Sequence, residues 1–314
     1  MEYTKLGSTG LDVSKVCFGT WRFSKESDGT VETDRETAHD LLDRFADAGG
    51  NFIDTANVYG DPAGTSERWI GEWLDDRDRE DYVIASKVYW NQVSRFSDNL
   101  SRKNIRAEIE GTLERLDTDY LDVYYIHRWD DDTPIRETLR TLTQLVEEGK
   151  VHYLAASSMA AWKLTKALWT SDVDGLERFE VTQPRFNAVK RPHEYLEVCA
   201  DQGLAVCPWS PLDGGFLTGK YSTGDADEGS RADLDDWDMS FSDRQQRVLE
   251  AVETVADELE ATPAQVSLRW LIEQREFTCV PIFGARTVEQ MDENVGAADI
   301  SLSNDQYERI ADAY

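Results

Sequence analysis

Leu121-Asp122-Val123-Tyr124-Tyr125-Ile126-His127, then the stretch Pro134–Glu148, then Val151-His152-Tyr153-Leu154-Ala155-Ala156-Ser157 decide the architecture of this 314-residue chain. The outer runs are short, apolar and rich in β-branched and aromatic residues, as buried strands are, while the middle stretch carries apolar residues at helical spacing. The same unit recurs. Strand-like runs fall at Val16–Gly19, Asn51–Thr55, Tyr82–Lys87, Leu121–His127, Val151–Ser157, Phe179–Gln183, Leu204–Trp209 and Thr278–Ile282. Helical patterns lie between them. Thr33–Ala48 sets Leu41, Leu42, Phe45 and Ala46 on one face behind a Thr33 cap, and Ser101–Leu116 aligns Ile105, Ile109, Leu113 and Leu116. Ala160–Trp169 is similar, and Pro192–Gln202 opens with an early proline.

Eight strands alternating with helices predict a parallel α/β fold. No Gly-x-Gly-x-x-Gly fingerprint accompanies them, so a closed (β/α)8 TIM barrel fits better than a doubly wound sheet. Three features fall outside the repeat. An N-terminal β-hairpin pairs Tyr3-Thr4-Lys5-Leu6 with Leu11-Asp12-Val13-Ser14 across the turn-rich Gly7-Ser8-Thr9-Gly10. A long Gly- and Asp-rich loop, Leu212–Ser240, follows the seventh strand and reads as a functional lid. Extra C-terminal helices are expected in Ser242–Gln274, split at Thr262-Pro263, and in Ser303–Ala313. No repeat or low-complexity linker divides the chain, so residues 1–314 read as one domain.

Acidic residues number 62 against 33 basic ones, a net charge of −29, and only ten of the basic residues are Lys. The acids are dispersed, which points to adaptation to high intracellular salt, where screening shortens to about 3 Å at 1 M. An acidic-patch binding protein is the competing account. The charge argues against nucleic acid as a partner. A 40% hydrophobic and 11% aromatic composition excludes wholesale disorder. No apolar run reaches the ~18 residues of a membrane span, and Met1-Glu2-Tyr3-Thr4-Lys5 is no signal peptide, so the expected location is the cytoplasm. Cys17, Cys199, Cys207 and Cys279 lack C-x-x-C spacing and read as core residues. His39, His127, His152 and His193 stand apart, so no metal is expected, and no Gly-x-Ser-x-Gly elbow marks a hydrolase. Asp130-Asp131-Asp132 reads as a solvated helix cap.

In a barrel, reactive groups gather at the C-terminal ends of the strands. Taken in order, those ends offer Gly19-Thr20-Trp21, Asp54 with Tyr59 behind it, Lys87, His127, Ser157-Ser158, Gln183 and Trp209-Ser210. A carboxylate, a phenol, an amine and an imidazole thus sit at three consecutive strand ends. Any one alone is most often structural; together they suit proton transfer. A tyrosine hydroxyl, ordinarily a weak acid with pKa about 10, is made more acidic by a nearby ammonium. The buried lysine needs Asp54 as partner. His127 can hydrogen-bond an oxygen gaining charge. Such a set protonates a carbonyl oxygen while hydride reaches carbon, and the hydride must come from a nicotinamide.

These residues lie in recognisable blocks. Asp54-Thr55-Ala56-Asn57-Val58-Tyr59-Gly60, Ala85-Ser86-Lys87-Val88 and Tyr124-Tyr125-Ile126-His127-Arg128-Trp129 resemble the signature segments of the aldo-keto reductases. Val181-Thr182-Gln183-Pro184-Arg185-Phe186-Asn187, Pro208-Trp209-Ser210-Pro211-Leu212, Leu217-Thr218-Gly219-Lys220-Tyr221 and Gly284-Ala285-Arg286-Thr287 match further segments, so the resemblance covers nearly the whole chain. Ile126-His127-Arg128-Trp129-Asp130 and Ala156-Ser157-Ser158-Met159 are most similar to a bacterial and archaeal sugar- and aldehyde-reductase subgroup.

The resemblance implies NAD(P)H-dependent reduction of an aldehyde, ketone or sugar carbonyl, or the reverse. Tyr59 would be the general acid, Lys87 and Asp54 its partners, and His127 would orient the carbonyl. Cofactor residues would be Gly19, Thr20, Trp21, Asp54, Ser157, Ser158, Gln183, Trp209, Ser210, Leu212, Gly214, Gly284, Arg286, Gln290, Glu293 and Asn294. The substrate pocket would include Trp21, Tyr89, Trp90, Arg128 and Trp129. The chain departs from the family in places. Trp209 stands where Tyr is commoner, Ser158 where Asn is usual, and Gly284 and Gln290 where many members carry Lys and Arg. Arg286 is then the nearby cation for a 2′-phosphate, which favours NADP, with NAD as the alternative. Two other classes compete: a cofactor-binding regulatory subunit like those of potassium channels, and a phosphotransferase. Gly214-Gly215-Phe216-Leu217-Thr218-Gly219-Lys220 nearly spells a P-loop, but Tyr221 replaces its Ser/Thr. The expected partner is a small carbonyl or alcohol, and the sequence assigns no oligomeric state.

Overall fold

A computed structural model describes residues 1–27, 30–93, 98–221 and 240–314 of the chain. Two strands, β1 (Tyr3–Lys5) and β2 (Asp12–Ser14), form the N-terminal antiparallel hairpin. Then β3 (Cys17–Gly19) precedes a small antiparallel ribbon of β4 (Glu26–Ser27) and β5 (Thr30–Val31), which the sequence pattern did not suggest. Strands β6 (Phe52–Asp54), β7 (Val83–Val88), β8 (Leu121–Ile126), β9 (Val151–Ser157), β10 (Phe179–Gln183), β11 (Ala205–Val206) and β12 (Ile282–Phe283) complete the set.

Eight strands pair in parallel in the order β12-β3-β6-β7-β8-β9-β10-β11. The ring closes where Val206 bridges Cys279: Val280 N donates to Val206 O (2.9 Å) and Ile282 N to Pro208 O (3.0 Å). This is the expected (β/α)8 barrel, with the expected hairpin and extra C-terminal helices. The last two strands differ from the sequence reading. β11 shrinks to Ala205–Val206, and β12 begins at Ile282 rather than Thr278. Pro208 and Pro281 have no N–H to give the ladder, so each interrupts it while its carbonyl still accepts: Pro281 O takes the Cys17 N–H at 3.0 Å.

The helices fit the expected stretches with local corrections. Arg35–Asp47 is capped by Asp34, whose carboxylate accepts from Thr37 N at 2.9 Å; Thr33 instead bridges Phe23 in the neighbouring loop. Ala161–Asp174 runs beyond Trp169 until Gly175 adopts a left-handed cap, φ +63°. Helices Thr65–Leu74 and Val288–Val295 fill places in the strand–helix alternation for which the sequence reading gave no bounds. Asp243–Leu259 and Pro263–Ile272 divide where the proline sits, behind a Thr262 capping box, and Asn304–Asp312 ends the chain's helices. Of the long loop Leu212–Ser240, the first part is a tight turn, Asp213–Thr218, and residues 222–239 lie outside the described residues.

Strand parity places the site. Cys17, Phe52, Val83, Ala85, Val123, Tyr125, Ala155, Val181, Ala205 and Cys207 face the barrel axis and form one apolar cluster. Their neighbours Phe18, Ile53, Ile84, Tyr124, Ile126 and Leu154 face the helices and belong to another. With a period of two, the inward set continues to Asp54, Lys87, Ser157 and Gln183 at the C-terminal mouth, and to His127 just past β8. The other mouth is plugged by the hairpin through Leu6 and Val13. Gly7 makes that approach, at φ +62°, where a Cβ would lie 2.8 Å from Ala205 N.

Candidate active site

A cleft of about 1070 Å3 opens at the C-terminal mouth. Lys87 lies under its floor, fully buried, and donates to Asp54 Oδ1 (2.5 Å), Thr55 O (2.8 Å) and Tyr59 Oη (3.2 Å). Burial works against the ammonium, yet the Asp54 carboxylate and Tyr59 hold its pKa above the ordinary lysine value. Asp54 is fixed on its other side by Gln183 Nε2, which donates to Oδ2 at 2.9 Å. Sequence reasoning expected Lys87 to make Tyr59 more acidic. Lys87 does pull that way, but burial outweighs it, and the phenol sits above its ordinary pKa. Tyr59 is therefore protonated at neutral pH.

His127 stands beside this trio, its ring edge-on to Tyr59 (5.9 Å between centroids) and to Trp90 (4.5 Å, 89°). Burial, then Lys87 and Arg128, push its pKa well below the usual histidine value, so the imidazole is neutral. Its Nδ1 is buried with no hydrogen-bond partner among the described residues. A neutral ring that offers an N–H can bond a carbonyl oxygen but does not compete with Tyr59 as proton donor.

The cofactor candidates divide by position. Gly19, Trp21, Asp54, Ser157, Ser158, Gln183, Trp209, Ser210, Leu212 and Gly214 line the cleft, as do Gly284, Arg286, Gln290, Glu293 and Asn294 further along. Thr20 does not: it is buried behind the wall, on Asp54 O and Ser66 Oγ. Of the substrate candidates, Trp21, Trp90 and Arg128 line the cleft; Tyr89 lies behind Trp90 under the Arg128 guanidinium, and Trp129 leans outward on Trp162. Asp130 is no solvated cap. It is buried, and its carboxylate accepts from Leu100 N (2.8 Å) and Asp132 N (2.9 Å).

The donor set suits a nicotinamide. Gln183 spends its Nε2 on Asp54 and keeps Oε1 to accept from a carboxamide N–H; Ser157 donates to Gln183 O at 2.9 Å, and the exposed Ser158 lines the cleft with its Oγ 3.2 Å from that of Ser157. Ser158 and Ser210 both hold left-handed backbone, φ +50° and +56°, a costly conformation that concentrates at functional strand ends. Trp209 Nε1 is buried without a partner among the described residues. Gly214 and Gly215, at φ +70° and +101°, turn the following loop, which Asp213 anchors by accepting from Arg185 (2.7 Å) and Asn187 (3.2 Å). At the far end, Gln290 Oε1 accepts from Arg286 N (2.9 Å) and Asn294 Nδ2 donates to Gly284 O (3.3 Å), so both residues shape the 284–287 turn.

Arg22, Lys25 and Lys220 also line the cleft and were not foreseen as site residues. Lys220 had a visible signal in the P-loop-like run; Arg22 and Lys25 lie one and four residues after Trp21 in the sequence. Both pair with the buried Glu32, which fixes them at the mouth. Two further residues build the wall. Asn57 Nδ2 donates to Trp90 O (2.7 Å) and to the buried Glu108 (2.8 Å), whose other oxygen accepts from Gln92 N (2.6 Å). This strut ties the Tyr59 loop to the Trp90 loop.

The model of the aldo/keto reductase family matches residues 15–314. The chain belongs to this family. It is an aldo/keto reductase-family oxidoreductase that acts on a carbonyl or the corresponding alcohol. Among similar proteins are an uncharacterised oxidoreductase of Bacillus subtilis, 36% identical over all of this chain and 96% of the relative. Norsolorinic acid reductase of Aspergillus flavus is 31% identical over 98% of this chain and 79% of its own length. A probable voltage-gated potassium channel subunit beta of Arabidopsis thaliana is 34% identical over 96% and 92%. Among the described residues, no helix is long and apolar enough to cross a membrane.

Proposed function

We propose that this aldo/keto reductase uses NADPH to reduce an aldehyde or sugar carbonyl, with Tyr59 as the proton donor. The observation that carries the reading is the buried contact of Lys87 Nζ with Tyr59 Oη (3.2 Å), made while the same ammonium is tied to Asp54. When bound, the nicotinamide supplies hydride. The chain's own groups do the rest. The Tyr59 hydroxyl gives its proton to the carbonyl oxygen as negative charge develops there. Lys87 stabilises the resulting phenolate, and Asp54 keeps Lys87 charged in a site where burial disfavours it. Neutral His127 donates a hydrogen bond to the same oxygen and fixes the carbonyl's direction. Gln183 and Ser157 would hold the carboxamide, with the ring against Trp209.

For the 2′-phosphate we propose Arg286. It lines the far end of the cleft just before the helix Val288–Val295, so its guanidinium and the helix N-terminus act in the same direction on an anion. Trp21, Trp90 and Arg128 form the substrate wall, two flat faces and one cation suited to a sugar or a small anionic carbonyl. The likeness to a channel subunit supports a binding role for the same pocket, but a regulatory role does not require the whole Tyr59–Lys87–Asp54–His127 set. Tyr59→Phe is the test. It keeps the ring and should leave NADPH binding intact while lowering turnover about 10²–10⁴-fold, the usual worth of general acid catalysis. Reductase activity within a few-fold of the parent would remove Tyr59 from the role.

A further inference from the structure

The helix Ala161–Asp174 buries Leu164, Ala167, Leu168, Thr170 and Ser171 against the barrel. Its outer face carries Trp162, Lys166, Trp169 and Val173, at steps of four, three and four residues, one continuous stripe. Trp162 is 60% exposed, Trp169 65% and Val173 61%. Large aromatics this exposed on one helix face mark an interface more often than a free surface.

We propose that this stripe is the core of a two-fold homodimer, with a second copy of the chain as its occupant. The four positions are symmetric about the point between Ala167 and Leu168. An antiparallel copy of the helix therefore sets Trp162 against Val173 of the second copy, and the Lys166 ammonium against the Trp169 face, a cation–π contact made twice. The flank agrees. At the C-terminal end, Arg136 and Arg140, both more than half exposed, share the single carboxylate of Asp174. At the N-terminal end of the same flank lie exposed Asp131 and Asp132, where the one cationic partner among the described residues is Lys163, which bonds Asp131 at 2.7 Å. A two-fold axis between antiparallel helices keeps each flank on its own side and exchanges the ends. The cationic end of one copy then faces the anionic end of the other. At 60% and 65% exposure the two tryptophans still have most of their about 150–250 Å2 each to bury, and the charged flank adds contact around them.

A chain of net charge −29 repels its copy in dilute buffer, and this repulsion is screened at molar salt. The full chain should therefore sediment at twice its 35.7 kDa mass in molar KCl and dissociate more readily in dilute buffer. The double variant Trp162→Ser/Trp169→Glu should be monomeric with an unchanged far-ultraviolet spectrum. Arg140→Asp should weaken association at least tenfold, about 1.4 kcal/mol, and adding Asp131→Arg to the same chain should restore it, because the axis brings the two swapped charges together. Lys166→Cys gives a second, independent reading. The four native cysteines are buried, so a short bis-maleimide should join two chains through the new thiol alone. A monomeric parent in molar KCl, or a dimer that tolerates the tryptophan pair change, would overturn the proposal, as would failure of Lys166→Cys to cross-link.

Discussion

Asp54 and Lys87 can be separated experimentally into what they do for the fold and what they do for the reaction. Asp54 is 3% exposed and Lys87 0%, so water screens neither charge. Removing one partner leaves the other as an uncompensated buried ion, at a cost of about 3–5 kcal/mol, against a typical total stability of roughly 5–15 kcal/mol. Asp54→Asn and Lys87→Met should each lose that much in denaturant unfolding. Their pH slopes should be opposite. In Asp54→Asn, burial acts unopposed on Lys87 and depresses its folded pKa; the unfolded chain then binds more protons, and stability rises with pH. In Lys87→Met, burial acts unopposed on Asp54 and raises its folded pKa; the native state binds more protons, and stability falls as pH rises above the unfolded value. The double variant removes both ions and replaces the pair by neutral groups of similar volume, so it should recover to within about 2 kcal/mol of the parent with a flat slope. Turnover should be lost in all three, because each leaves the Tyr59 phenolate without its stabilising charge. Strictly additive losses in the double variant, or slopes of the same sign in the two singles, would refute the coupled-pair reasoning.

Two further outcomes follow from the charge distribution. Arg286→Ala should raise KM for NADPH about ten- to a hundredfold, the worth of a charge-assisted hydrogen bond, and leave KM for NADH nearly unchanged; equal effects on both would move the phosphate contact elsewhere. With net charge −29, thermal unfolding in molar KCl should occur at higher temperature than in dilute buffer, and identical midpoints would exclude a stabilising role for salt.

Most of the barrel was legible because its strands are short apolar runs set apart by helical patterns. Val123 and Tyr125 face inward and Tyr124 and Ile126 outward, so a correct strand position also fixes which side chains reach the mouth. Asp54, Lys87, Ser157 and Gln183 were readable as strand ends, and the alternation explains why those ends point into the mouth. The errors came where backbone chemistry breaks the ladder: Pro208 and Pro281 shortened and shifted the last two strands, and the apolar runs around them gave no sign of it. Thr33 failed as a cap because Asp34, one residue on, supplies the stronger acceptor. The ribbon Glu26–Ser27 with Thr30–Val31 carries too few residues for any period to register.

The site was legible in composition but not in energetics. Residue type and strand end brought a phenol, an ammonium, a carboxylate and an imidazole together on paper. Which side wins at Tyr59 depends on burial, a property of the helices and loops around it rather than of the motif. The same holds for the wall of the cleft. Glu108 lies on an outer helix of the barrel, and Asn57 is one residue among several in a recognisable segment; neither announces a role in sequence. Only docking of the helix Arg102–Leu116 brings Glu108 to Asn57 and to Gln92 N, and through them sets Trp90 over His127. A motif can therefore name the groups that meet at the cleft. The packing behind it decides that the Tyr59 phenol stays protonated and that His127 stays neutral beside it.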